Sequence, residues 1–461
     1  MTERQYKDSG IGWIGKMPDY WYTKPVKFLS SHHIGGAWGE EKKDNSYDRY
    51  CVRIADFDYE HMQVCEDNVQ TIRNYSPKEI ESRALKYGDL IIEKSGGGEK
   101  TPVGRVVVYR GRNGLMFANF TDRFRLTSEY NIEFAKYVFF GWYNIKQSQL
   151  FFNQTTGLQN LDLPKFFGKL HLPVPPLEEQ QNIADFLDSK TASIDSAIQA
   201  QKDIVEKLKE YRQAVITEAV TKGLNRDVKM KNVDFLWVHE FPENWGIYKL
   251  NHLLDYNHPY PLGGGDHGSI KAKDYATCGI PLLRVQNLGY AEPINTENMV
   301  YISEAQNKTI KNSTLHPDDI LFAKTGATIG KTAILTNDTP IANTTSHVGK
   351  ITVNKKKFFP RYVYYFLSSE MGMFQLWDIA GKKATRPEVG LDEVKYIKFL
   401  IPNSIAEQKA ISDYLDAQCS RIANAISHCN AIIEKLEEYK KSIIYNAVTG
   451  KIDCRKDVIP E

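Results

Sequence analysis

Gly326-Ala-Thr-Ile-Gly330-Lys331-Thr332 carries the residue types that cradle a phosphate: two glycines, a lysine and a hydroxyl. A nucleotide-binding loop needs four residues between its glycines, and this segment has three, with Thr325 ahead of it instead of glycine. A glycine turn after a strand explains it, as it explains Ser95-Gly96-Gly97-Gly98 followed by Gly104-Arg105. Pro317-Asp318 could open a metal-dependent nuclease site, but Phe322 stands where the acid two residues before Lys324 would be. His32-His33 and Gly263-Gly264-Gly265-Asp266-His267 have no partners at ligand spacing. The six cysteines, at 51, 65, 278, 419, 429 and 454, form no C-x-x-C pair. No Gly-rich methyl-donor loop accompanies an Asn-Pro-Pro-aromatic tetrapeptide. Neither a catalytic constellation nor a metal site is expected in this chain.

Charge points elsewhere. The net charge is +2, which excludes a uniformly basic binder. Residues 178–221 hold nine acids against five bases and 406–449 six against five, so the basic excess lies outside these segments. From 321 to 361 there are seven bases and one acid, Asp338, the footprint expected of a phosphate-binding surface. The N-terminus lacks the apolar core of a signal peptide and no stretch is apolar enough to span a bilayer, so a cytoplasmic location is expected.

The elements that must position such a surface occur twice. At a constant offset of 228, Glu179 to Thr221 matches Glu407 to Thr449 with 19 identities in 43 positions and no gap. Trp13, Pro18 and Trp21 recur as Trp237, Pro242 and Trp245. The chain is two tandem halves. Between these markers, 22–172 and 246–400 read as short strands such as Leu90-Ile91-Ile92, Arg105 to Tyr109, Ile320 to Ala323 and Thr332 to Leu335. A helical patch follows in each, around Glu133 to Trp142 and Pro360 to Leu367. Each variable region is expected to be an α+β globule.

The repeated segments predict long helices. Pro175-Pro176 leads into Leu177-Glu178-Glu179, with proline at the helix start and acids at the positive end of the dipole. No glycine or proline interrupts Thr191 to Thr221, and Gly223 and Gly450 stand where helices would end. A heptad reading puts Ile194, Ala197, Gln201, Ile204, Leu208, Tyr211, Val215 and Glu218 on one coiled-coil seam. The second seam holds Ile422, Ala425, Cys429, Ile432, Leu436, Tyr439, Ile443 and Asn446. Ile198, Val205 and Ile216, with Ile426, Ile433 and Ile444, lie beside the seams. They are covered either by the globules or by another subunit.

The motifs Glu179-Gln180-Gln-Asn-Ile183-Ala-Asp185-Phe-Leu187-Asp188 and Glu407-Gln408-Lys-Ala-Ile411-Ser-Asp413-Tyr-Leu415-Asp416 resemble those of type I restriction-modification specificity subunits. The opening Asp8-Ser9-Gly10-Ile11-Gly12-Trp13-Ile14-Gly15, with Pro18 and Trp21, is similar as well. The second copy has Ile401-Pro402-Asn403-Ser404 where the first has a double proline. The resemblance implies two tandem α+β target recognition domains, 1–174 and 224–402, each reading half of a split DNA sequence. Long antiparallel helices, in 175–223 and in 403–461 with the C-terminal tail, would form a coiled-coil spacer, the halves being related by a pseudo-twofold. They would dock two methyltransferase (modification) subunits, and restriction (motor/nuclease) subunits would join. The chemistry would then belong to the partners, with S-adenosylmethionine, ATP and Mg bound there and no cofactor in this chain. The contrasting reading is a non-enzymatic protein-interaction scaffold whose helices dimerise.

On the DNA-binding reading, Gln and Asn can pair with adenine, Arg with guanine and Lys with phosphate. In the first domain the expected DNA-binding residues are Lys94, Ser95, Gly97 and Arg105 at the glycine turn, then Asn119. The polar run Gln154, Thr155, Thr156 and Gly157 joins them, with Gln159 and Asn160. In the second they are Lys324, Thr325, Thr328 and Lys331, then Asn343 and Thr345, and finally Lys382, Lys383, Thr385 and Arg386.

Overall fold

Short strands, joined by turns and short helices, lie outside two long helices, and their order repeats. The computed structural model describes residues 4–155, 157–235, 238–265, 268–339, 341–381 and 387–454; Trp237 and His267 fall outside these. The chain falls into two units, Met1–Ala200 with Ile432–Glu461, and Gln201–Ala431. Each boundary lies inside a long helix, Leu177–Lys222 or Ile405–Val448.

In the first unit, Ser30–Gly35, Thr121–Leu126, Leu90–Glu93 and Val106–Val108 lie side by side in that order, extended by Gln63–Val64 and Phe57–Asp58. A smaller sheet holds Asp48–Val52 between Ile72–Asn74, antiparallel, and Met116–Phe117, parallel. In the second unit the matching order is Leu262–Gly264, Val348–Ile351, Ile320–Ala323 and Thr332–Ile334. There Ile280–Leu283 lies between Val300–Ile302, antiparallel, and Asn343–Thr344, parallel. Regions with little shared sequence thus share strand order and direction. Leu90-Ile91-Ile92 and Ile320-Leu321-Phe322 are buried throughout, and burial of that kind constrains apolarity more than identity. One helix packs beside each sheet: Ile132–Asn144, whose cap Asn131 accepts the N–H groups of Glu133 and Phe134, and Pro360–Ser368, with proline in its first turn.

The long helices have 46 and 44 residues, or about 69 and 66 Å at 1.5 Å per residue. Gly223 (φ +74°) and Gly450 (φ +75°) follow their ends in the left-handed conformation. Both are also close-packed: a Cβ on Gly223 would lie 3.1 Å from the Trp245 ring, and one on Gly450 only 2.4 Å from Pro18. In the first unit, Ile183, Leu187, Ile194 and Ile198 from one helix and Ile443, Ile444, Ala447 and Val448 from the other join Trp21, Phe134 and Phe139 in one core. In the second unit, Val215, Ile216, Ala219 and Val220 and then Ile411 and Leu415 join Trp245 and Tyr362. Each core therefore uses the start of one long helix and the end of the other. Ile198, Ile216 and Ile444, expected beside the seam, are covered by their own unit's core.

The buried stripe differs from the expected seam. Ile204 is 42% exposed, Tyr211 55% and Tyr439 54%. Ile194, Val215, Ile422 and Ile443 are buried, but the alternate rung runs one residue further on, through Ile198, Val205, Arg212 and Ala219, and through Lys440 and Ala447 on the second helix. A reading that admits only apolar residues skips Arg212 and Lys440. Their stems fill the stripe while their heads are paired, Arg212 with Glu292 and Lys440 with Asp195 at 2.6 Å.

Candidate nucleic-acid interface

The repeated Glu-Gln motif pins the short helix beside each sheet, and a tryptophan of each unit, to a long helix with the same bonds made twice. Glu179 accepts the Trp21 indole N–H at 3.0 Å and Glu407 that of Trp245 at 2.9 Å. Gln180 accepts the Asn131 N–H at 2.7 Å and donates to the Pro175 carbonyl at 2.9 Å. Gln408 does the same with Phe359 and Pro402. Asp188 accepts the Tyr137 hydroxyl at 2.6 Å, and Asp416 that of Tyr365. Burial pushes both phenols well above the usual tyrosine range, so they remain neutral donors. The motif side chains are thus committed to holding the short helix of each unit against a long helix.

In the first unit the glycine turn and the polar run meet. Ser95–Gly96 pairs with Leu158–Leu161, which pairs with Phe152–Thr155. The Ser95 hydroxyl donates to Asn160 Oδ1 at 2.6 Å. Gln159 is buried and accepts the Val103 N–H at 3.1 Å, so it braces the turn instead of facing outward. Gly97 (φ +61°) is required there, because a Cβ would stand 2.8 Å from Val103 N. Gln154, Gly157 and Asn160 are exposed, Thr155 ends its strand, and Thr156 lies outside the described residues. Lys94 is paired with Asp122 at 2.8 Å. Arg105 is tied to buried Glu93 at 2.7 Å and lies over the Tyr59 ring.

In the second unit Lys324 follows its strand as Lys94 does, but is buried; burial lowers its pKa, with Glu388 opposing. Thr325 Oγ1 lies 3.1 Å from His347 Nδ1, and the Thr328 hydroxyl donates to the Thr325 carbonyl at 2.8 Å. The Lys331 ammonium lies 5.9 Å from the centre of the Tyr290 ring. Asn343 is fully buried, its amide donating to Asn307 Oδ1 at 2.6 Å, and the Thr345 N–H donates to the Leu283 carbonyl at 3.2 Å. Lys382, Lys383, Thr385 and Arg386 lie outside the described residues. The Gly326–Lys331 segment joins antiparallel strands, so no helix N-terminus follows it as one does in a phosphate loop.

The basic cluster of 321–361 divides between interior and surface: Lys324 and Lys350 are buried, Lys331 and Arg361 half-buried, and Lys355, Lys356 and Lys357 exposed. Lys350 is buried 3.8 Å from Asp319 and donates to the Thr314 carbonyl at 2.8 Å. Lys355 pairs with Asp318 and Arg361 with Asp416, each at 2.6 Å. Lys356 and Lys357 remain exposed. The first unit makes the same internal pairing: Arg123, opposite Ile91 as Lys350 is opposite Leu321, lies 3.5 Å from buried Asp89.

A cleft of about 460 Å³ in the first unit went unread in the sequence, apart from Asn119. It is lined by Trp38, Arg53, Ile54, Ala55, Ala118, Asn119 and Phe120. Phe120 is 51% and Trp38 41% exposed. The cleft adjoins the glycine turn, because the Phe120 carbonyl accepts the N–H groups of Lys94 and Ser95. Exposed flat rings beside a guanidinium and an amide suit stacking and hydrogen bonding to nucleic-acid bases. Among the described residues no three His, Cys, Asp or Glu side chains gather to hold a metal, and no helix is long and apolar enough to cross a membrane.

The type I restriction modification DNA specificity domain matches this chain at residues 71–210 and 269–438. The EcoBI specificity subunit of Escherichia coli is 28% identical over 293 residues, 62% of this chain and 59% of its own length. The MjaVIII specificity subunit of Methanocaldococcus jannaschii is 25% identical over 75% of this chain and 76% of its own. The StySPI specificity subunit of Salmonella potsdam is 23% identical over 96% of this chain and 91% of its own. A chain solved in work on the complex assembly and conformational transition of the type I R-M system has a similar fold. Its TM-score is 0.65 at 14% identity, covering 95% of this chain and 99% of that one.

Proposed function

The chain belongs to the type I restriction modification DNA specificity family, and from that premise we propose that it reads a bipartite DNA sequence as the specificity subunit of a type I restriction-modification complex. The observation that carries this reading is the doubled scaffold. The same strand order and the same Glu, Gln and Asp pins occur in both units, while exposed loop residues differ, as for readers of two unlike half-sites. Residues 1–174 and 224–402 are the target recognition domains. The helices in 175–223 and 403–461 are a coiled-coil spacer that fixes the gap between the half-sites. The chain itself carries out no catalysis. Modification subunits dock on the helices and bring S-adenosylmethionine, and restriction subunits bring ATP and Mg.

Within the proposed surface, exposed Asn119, Gln154, Asn160, Lys356 and Lys357 face DNA. Buried Gln159, Lys324 and Asn343 support the loops from behind. The test is to map the bases methylated by the complex reconstituted with modification subunits. Two short specific blocks with a fixed unread gap are expected; a single continuous site would refute the reading. Binding should also fall steeply with salt, as counterion release requires.

A further inference from the structure

Val52-Arg53-Ile54-Ala55-Asp56 and Leu283-Arg284-Val285-Gln286-Asn287 are equivalent segments of the two units. Each arginine follows the last residue of its strand and precedes a single 3-10 turn, Ile54–Asp56 or Val285–Asn287. Its own N–H donates to the third residue of that turn, Arg53 to Asp56 at 2.7 Å and Arg284 to Asn287 at 2.8 Å. The facing segments match as well. The Ala118 N–H donates to the Val52 carbonyl and the Thr345 N–H to the Leu283 carbonyl. The Phe120 and His347 carbonyls accept from Lys94 and Lys324, both at 2.9 Å.

Residues at matching places can therefore be compared. The arginine is kept. Beside it, Ala55 is replaced by Gln286, Asn119 by Ser346 and Phe120 by His347. In both arginines Nε is buried without a partner, so neither guanidinium is fully used by the fold. Arg53 makes one side-chain bond, to Asp56 at 3.4 Å, and its side chain is 41% exposed in the cleft.

We propose, building on the DNA-reading function above, that this cleft of the first unit and the matching place in the second are DNA subsites: Arg53 and Arg284 hold a backbone phosphate, and the residues that differ beside them read the adjoining base edge. A phosphate carries no sequence information, which fits the residue that stays the same. Phe120 and Ala55 offer apolar contact suited to the C5 methyl of thymine, whereas Gln286 and His347 offer hydrogen bonds. The two units read different bases from one common anchor.

The test uses the full chain reconstituted with its modification subunits and a pool of duplexes randomised across both half-sites. A double variant, Ala55→Gln with Phe120→His, installs the second unit's residues in the first. It should change the preferred first half-site at one or two positions and leave the second half-site as it was. Arg53→Ala should weaken binding to all members of the pool by roughly tenfold and reduce the salt slope by about one, while Arg53→Lys keeps the slope. Unchanged preference in the double variant overturns the assignment, as does an unchanged slope in Arg53→Ala. The wild-type complex on the same pool separates the two levels of failure. If it selects no split site, the reading of the whole chain falls and this subsite with it; if it selects one, the variants judge the subsite alone.

Discussion

Residue type alone does not reveal which way a side chain faces, and in this chain that decides what each cation does. Lys350 and Lys356 lie six positions apart in one basic run, yet Lys350 points inward from a strand onto Asp319 while Lys356 is exposed. The strand Val348–Ile351 is buried on both faces, so no alternation of polar and apolar residues marks Lys350 as internal. Arg105 and Lys324 were legible as members of glycine turns but not as groups committed to, or buried in, the interior. Lys350→Met should therefore leave Asp319 uncompensated and cost about 3–5 kcal/mol, read as a lower denaturant midpoint. Lys356→Ala should change the unfolding free energy by no more than about 0.5 kcal/mol and act only on DNA affinity. The motif carboxylates invert the usual association of repeated acids with catalysis. Glu179→Ala removes the acceptor of the buried Trp21 N–H and the partner of Arg4, a loss of about 2–3 kcal/mol. Glu407→Ala should do the same in the second unit, each followed by tryptophan fluorescence during unfolding. Equal stability in either variant would remove the pin from the account.

Elements were more legible than residues wherever the local signal was redundant. The double proline and the unbroken run to Thr221 fix the first long helix, and the glycines that follow, Gly223 and Gly450, fix the ends of both. Apolar runs between turn residues fix Leu90–Glu93, Ile320–Ala323 and Thr332–Ile334. The phase of the helix stripe was not legible, because Arg212 and Lys440 hold places where periodicity expects apolar side chains. The shifted phase leaves Ile204, Lys207 and Tyr211 along one exposed line of the first helix, at spacings of three and four. Ile432, Lys435 and Tyr439 repeat its residue types on the second, with Lys435 and Tyr439 exposed and Ile432 half-buried. Repetition of a line whose lysine and tyrosine are exposed in both copies fits one kind of partner docking twice, as proposed for the modification subunits. Tyr211→Ser with Tyr439→Ser should leave unfolding within about 0.5 kcal/mol but weaken that association, and Tyr211→Ser alone should affect one of two bound subunits. Sedimentation of the complex reads the stoichiometry, and full occupancy in the double variant would place docking elsewhere.

At the scale of the whole chain, connectivity and structural unit do not coincide. The first unit is built from both ends of the sequence: the Arg4 guanidinium donates to the Ile452 carbonyl at 3.2 Å, the Tyr445 hydroxyl to the Trp13 carbonyl at 2.8 Å, and Gly450 packs on Pro18 and Trp21. The second unit repeats this arrangement without a break, since Gly223 packs on Trp245 along a continuous chain. The segment 223–229 thus does in covalent form what residues near 4 and 454 do by contact. This predicts that the chain order can be permuted. A short flexible linker from Cys454 to Arg4, with new ends opened in the exposed turn at Asn225–Asp227, keeps every core of both units within one polypeptide. Loop closure over so short a span costs little, and neither new end interrupts a strand or a long helix. The permuted chain should unfold at nearly the denaturant midpoint of the original and, reconstituted with modification subunits, direct methylation to the same sequence as the original chain. Deleting 432–461 should instead expose Ile443, Ile444, Ala447 and Val448's partners in the first core, making that unit protease-sensitive while the second, complete within Gln201–Ala431, resists. A permuted chain that misfolds, or a truncation that spares the first unit, would show that the covalent order does more than join two closed units.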